Sequence, residues 1–188
     1  MTGDEKLRHD PLRTGGEAKI TATRMNAREA TVRWVDPAVG LAELPRLDGL
    51  DFLRRMAAGE VPQAPIASHV AMELIAADPG TVTFRCHPDE SHYNPIGMVH
   101  GGLVSTLLDS ALGCAAHTTL PAGTGYTSIE YKVNYLRPVT AGSGPMLCTG
   151  TVVKPGRRVV FAEGEVTDAA GKVVATASGS LLVFPLET

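Results

Sequence analysis

From residue 69 onward the apolar positions fall into short alternating runs, interrupted by one long stretch with helical spacing. Residues 69–76 and 81–86 read as two strands separated by Asp78-Pro79-Gly80, a strong turn signal. From 101 to about 120 the pattern changes: Leu103, Leu107, Ala111 and Cys114 recur at three- and four-residue spacing, and Pro121-Ala122-Gly123 closes the segment. Four further strands are predicted over 126–136, 146–153, 159–167 and 173–184, the last three joined by turns at Lys154-Pro155-Gly156 and Asp168-Ala169-Ala170-Gly171. Linkers that short predict an antiparallel meander. Two strands, one long helix and four more strands read as an α+β chain in which a curved antiparallel sheet wraps around a single helix.

The residues before this pattern read differently. Positions 1–27 are polar and predict a flexible leader. Positions 30–35 alternate around Trp34, the single tryptophan, and predict a short strand or extended arm ending at Asp36-Pro37. Leu50, Phe52, Leu53 and Met56 suit a short helix that stops at Gly59 and packs across the main domain as a cap. The chain thus divides into an N-terminal extension, 1–64, and a main domain, 65–188.

Composition narrows the possible partners. A net charge of -3 gives no electrostatic basis for binding nucleic acid or an anionic membrane. No apolar run approaches the ~18–20 residues of a transmembrane helix, and the polar N-terminus lacks a signal-peptide core. Cys86, Cys114 and Cys148 are scattered with no CxxC pair, and the histidines show no HxxxH pairing. These features predict reduced thiols, no metal site and a cytoplasmic location.

The chemistry concentrates in one stretch. Asn94-Pro95-Ile96-Gly97-Met98-Val99-His100-Gly101-Gly102 leads into the long helix, and Asp109 follows two turns in. A helix N-terminus offers unpaired N–H groups and a partial positive charge, suited to a developing oxyanion. Asp109 lies among Leu107, Leu108, Ala111 and Leu112, so its carboxylate is expected to be buried, and a buried unpaired carboxylate is costly. Acyl chemistry is the reading.

The segment Asn94–Gly97–His100-Gly101-Gly102 with Asp109, in this order of elements, resembles the hotdog-fold acyl-CoA thioesterases, most closely the phenylacetate-degradation (PaaI-like) type. The similarity spans roughly residues 65–185. It implies hydrolysis of acyl-CoA to free acid and coenzyme A, in a homodimer, often a dimer of dimers, with active sites at the subunit interface. It also implies roles. Asp109 is nucleophile or general base, the Gly101 N–H polarises the thioester carbonyl, Asn94 orients water or substrate, and Ser128 assists the carboxylate. A related branch uses a Glu on this helix; none is present here. Coenzyme A enters as part of the substrate, with no separate cofactor.

Helix geometry adds an independent constraint. Eight residues separate Gly101 from Asp109, about 12 Å along a helix, whereas both must approach one reacting centre to ~3–3.5 Å. The expectation is that Asn94 and Gly101 of one chain meet Asp109 and Ser128 of another. Plainer readings stand beside each assignment: Asp109 in an interface salt bridge, Gly101 and Gly102 as a tight turn, Asn94 as a turn former, His100 as a structural residue against a general acid. Lys154, Arg157 and Arg158 are either an ordinary charged turn or a clamp for coenzyme A phosphates, with Arg137 a weaker candidate. Two other functions remain: a hotdog enoyl-CoA hydratase or dehydratase using His100 with Asp109, and a non-catalytic acyl-CoA-binding domain.

Overall fold

The computed structural model describes residues 26–186, so nearly all of the leader expected over 1–27 lies outside the described residues. Residues 32–186 form one compact unit, and the described residues before it, 26–31, carry no helix or strand. Among the described residues three short helices come first: α1 (Pro37–Leu41), α2 (Gly49–Ala57) and α3 (Pro65–His69). Then follow β1 (Met72–Asp78), β2 (Thr81–Cys86), the long helix α4 (Gly101–His117), β3 (Thr124–Tyr135), β4 (Met146–Lys154), β5 (Val159–Thr167) and β6 (Val173–Pro185). The strands form one sheet in the order β1-β2-β4-β5-β6-β3, antiparallel at every step, and β4-β5-β6 is the expected meander.

Periodicity explains the layering. β5 buries alternate residues, Val160, Ala162, Gly164 and Val166, on the face that meets α4. α4 is apolar almost all round, with Leu107, Leu108, Ala111 and Leu112 buried, and such a helix must be enclosed. The sheet supplies the enclosure by curving around it. Close approach requires bare backbone: a Cβ on Gly150 of β4 would lie 2.2 Å from the Ala111 carbonyl oxygen, and one on Gly164 of β5 would lie 2.6 Å from Leu112.

Three expectations change. No strand forms over 30–35; without a ladder partner the alternation around Trp34 has nothing to pair with, and its ring packs on His69 at 5.3 Å. The strand expected from residue 69 begins at Met72, because Pro65 at the first helical turn favours α3 and Ala71 turns the chain with φ 50°. α4 stops at His117, short of 120, where the Thr118 and Thr119 hydroxyls donate to the Ala115 and Ala116 carbonyls and compete with further helix.

The extension before residue 65 is tied into the same core. Asp48 caps α2, Phe52 and Leu53 are buried, and the Gly49 N–H donates to the Leu120 carbonyl beyond α4. Gln63 exchanges two hydrogen bonds with the Leu74 backbone, covering part of the outer edge of β1. The opposite edge, β3, is exposed at Thr127–Lys132, including Ile129 and Tyr131.

Candidate active site

The loop entering α4 shows why each motif residue is the type it is. Asn94 Oδ1 accepts from the N–H groups of Ile96 and Met98, both at 3.1 Å, and Gly97 completes the turn with φ 80°. His100 caps the helix: its Nδ1 accepts from the Gly102 N–H at 2.8 Å. A Cβ at Gly102 would itself lie 2.8 Å from that Nδ1, so the cap requires glycine there. A Cβ at Gly101 would lie 3.2 Å from the ring of Tyr135, whose hydroxyl donates to the Gly101 carbonyl at 3.0 Å and pairs with Ser105 Oγ at 2.7 Å. Turn geometry therefore accounts for most of the motif. What remains is the Asn94 side-chain NH₂ and the Gly101 N–H, neither with an acceptor among the described residues. Both residues line a cleft of about 320 Å³ with Tyr135 and Arg137.

His100 holds its ring through an acceptor at Nδ1, which places the proton of the neutral ring on Nε2. His100→Ala is expected to lower stability by ~1 kcal/mol, read from the urea midpoint, with kcat nearly kept. A kcat loss beyond ~10-fold overturns the purely structural assignment and restores a proton-transfer role.

Asp109 lies in the middle of α4 and is half-buried, not fully buried, and it is not unpaired. Ser128 Oγ on β3 donates to Asp109 Oδ1 at 2.6 Å, a short charge-assisted contact. The structure thus brings Asp109 and Ser128 together in one chain. It does not bring them to Asn94 and Gly101, whose cleft neither of them lines. Lys154, Arg157 and Arg158 are exposed at the β4–β5 turn without an ion-pair partner among the described residues. Arg157 borders a cleft with Thr119, Leu120 and Thr124, past the C-terminal end of α4 and therefore remote from Gly101. Arg137 donates to the Val173 carbonyl.

A family model, the thioesterase superfamily, matches residues 96–175, from the loop before α4 through Asp109 and Ser128 into β6. Human acyl-coenzyme A thioesterase 13 is 33% identical over 103 residues, which is 54% of this chain and 72% of that protein. The chain belongs to the thioesterase superfamily.

Solved structures give this thioesterase its fold type. A phenylacetic acid degradation-related protein of Ralstonia eutropha JMP134 is 27% identical, with a TM-score of 0.63 over 69% of this chain and 98% of its own. The Escherichia coli PaaI protein, at 20% identity, matches in fold with a TM-score of 0.64 over 75% of this chain and 99% of its own. The thioesterase is a hotdog-fold thioester hydrolase of the PaaI-like type.

Rival nucleophiles find little support in its geometry. Cys114, five residues after Asp109, has its thiol pushed up to about 11 by burial, so it stays protonated near neutral pH. Burial likewise raises the Tyr126 hydroxyl, and it lowers His117, which stacks between Phe52 and Tyr126. Among the described residues no group of three or more His, Cys, Asp or Glu side chains converges to hold a metal ion, and no described helix is long and apolar enough to cross a membrane.

Sequence reasoning missed Tyr135. It packs on Gly101 from 34 residues away, and a tyrosine at a strand end carries no motif to mark it.

Proposed function

We propose that the thioesterase hydrolyses acyl-CoA at sites built by two copies of the chain, each joining one chain's Asn94 and Gly101 to the other's Asp109 and Ser128. The observation that carries this reading is the separation of the two pairs. Gly101 N–H stands unused at the helix start, while the Asp109–Ser128 pair sits two turns further along the same straight element. Two antiparallel copies of α4 bring the unlike ends together. β3 supplies a route: it is a 12-residue edge strand whose outer side is exposed, and such an edge is a template for pairing. Edge pairing of β3 with its symmetry mate gives an isologous dimer, which then pairs into a dimer of dimers.

In this site the Gly101 N–H and the positive end of α4 stabilise charge on the thioester oxygen as the carbonyl is attacked. Asn94 contributes through its NH₂, because its Oδ1 is occupied by the turn. Asp109 either adds to the carbonyl, giving a mixed anhydride that water then opens, or takes a proton from the attacking water. Ser128 orients the carboxylate. The carbon–sulfur bond breaks and coenzyme A leaves as the thiolate. Lys154, Arg157 and Arg158, exposed and without an ion-pair partner among the described residues, bind its phosphates, and Gly102 holds the entry turn. In this reading coenzyme A is part of the substrate, no separate cofactor is used, and the protein works in the cytoplasm.

Thiol release across acyl-CoA substrates tests the activity; enoyl-CoA hydration without thiol release favours a hydratase, and tight binding with neither product favours a binding domain. Co-expression tests the shared site. Asp109→Asn and Asn94→Ala subunits, each impaired alone, are expected to recover about a quarter of wild-type activity when mixed, since half the dimers then hold one intact site of two. A mixture no more active than its parents overturns the two-chain site.

A further inference from the structure

An apolar cavity of about 350 Å³ lies beside the Asp109–Ser128 pair, and much of its wall comes from residues before 65. Its inner wall is Ser110, Cys114 and His117 of α4 with Tyr126 of β3. Ser110 is the next residue after Asp109, and Tyr126 lies two before Ser128, on the same side of a strand of period two. The other wall is Gly40 and Leu41 of α1, Leu44, Met56 of α2 and Ile66 of α3. Two polar side chains of this lining are engaged by neighbours, Gln63 on the Leu74 backbone and the Tyr126 hydroxyl on Cys114 Sγ at 3.9 Å, and the His117 ring lies tilted between Phe52 and Tyr126.

We propose that this cavity takes the alkyl chain of the substrate's acyl group, and that α1 with Leu44 sets how long a chain is accepted. The proposal rests on the acyl-CoA reading above and adds a substrate class to it: medium-length aliphatic acyl groups over acetyl. The space falls within the ~300–1,000 Å³ of small-ligand pockets and is far more than an acetyl group fills. Its wall includes Ser110, the residue after Asp109, so a chain entering at that end leaves the carbonyl near Asp109.

Gly40 makes the proposal testable without strain. It is buried and helical, and an added Cβ there meets nothing nearer than 3.9 Å, from Pro62 and Val61. A leucine at this position therefore enters the cavity, and in a helix it is a better residue than glycine. In the wild-type protein kcat/KM is expected to rise about fourfold for each added methylene, from acetyl- through butyryl- and hexanoyl- toward octanoyl- and decanoyl-CoA, then fall at palmitoyl-CoA. Gly40→Leu is expected to lower the ratio of kcat/KM for decanoyl-CoA over acetyl-CoA by at least ~10-fold. Leu44→Ala, which enlarges the same wall, is expected to move the optimum to longer chains and keeps the test alive should the first variant not fold.

Decanoate binding, measured by calorimetry, separates this proposal from the activity beneath it. Decanoate that binds the wild type and is lost in Gly40→Leu supports the cavity even if no thioester is cleaved. Thioester cleavage with the same chain-length profile in all three proteins overturns the cavity and leaves the hydrolase intact.

Discussion

Asp109→Asn is expected to reduce kcat by ~10²-fold or more with KM changed little, because the carboxylate acts mainly in the transition state. The asparagine keeps an oxygen for the Ser128 hydroxyl, now bonded at 2.6 Å, so α4 and β3 stay docked and the loss belongs to chemistry. An unchanged thermal midpoint checks that point. Near-normal turnover sinks the assignment of Asp109. The same residue separates the two routes of hydrolysis. In a single turnover in ¹⁸O water, label in the Asp109 carboxylate reports attack by the carboxylate itself, whereas label only in the released acid fits both general-base catalysis and an anhydride opened at its acyl carbon.

Gly150→Val is expected to be strongly damaging to stability, at ~3 kcal/mol or more by the shift in urea midpoint. The new Cβ would lie 2.2 Å from the Ala111 oxygen and 2.5 Å from its carbonyl carbon. Those are backbone atoms of α4, and they cannot swing aside as a flexible side chain does. Either β4 or the helix must move, and moving the helix also moves Asp109, two residues before Ala111. Activity should therefore fall with stability. A variant within ~1 kcal/mol of wild type overturns the close helix–sheet contact.

Much of the fold was legible in the residues alone. α4 announced itself by Leu103, Leu107 and Ala111 at helical spacing, and β5 by a short run set between the turns at Lys154-Pro155-Gly156 and Asp168-Ala169-Ala170-Gly171. The entry motif was legible for a similar reason. The Asx turn at Asn94, the positive φ at Gly97 and the His100 cap all act within a few residues. Where the reading slipped, local pattern had no partner to support it: 30–35 alternates yet pairs with nothing, and β1 starts later than its apolar run.

By itself, then, the sequence determined one long helix inside an antiparallel sheet, a hydrogen-bond turn leading into it, and a carboxylate two turns along. Tertiary structure decided which groups meet. Ser128 reaches Asp109 and Tyr135 reaches Gly101 through the register of β3, which shifts at a bulge between Ser128 and Glu130. A strand has period two, so a slip of one residue would turn these side chains to the other face, and nothing local in β3 records that register. The apolar cavity likewise exists only where residues 37–67 fold over α4 and β3. Sequence encodes each element's faces; packing at long range decides which faces become a site.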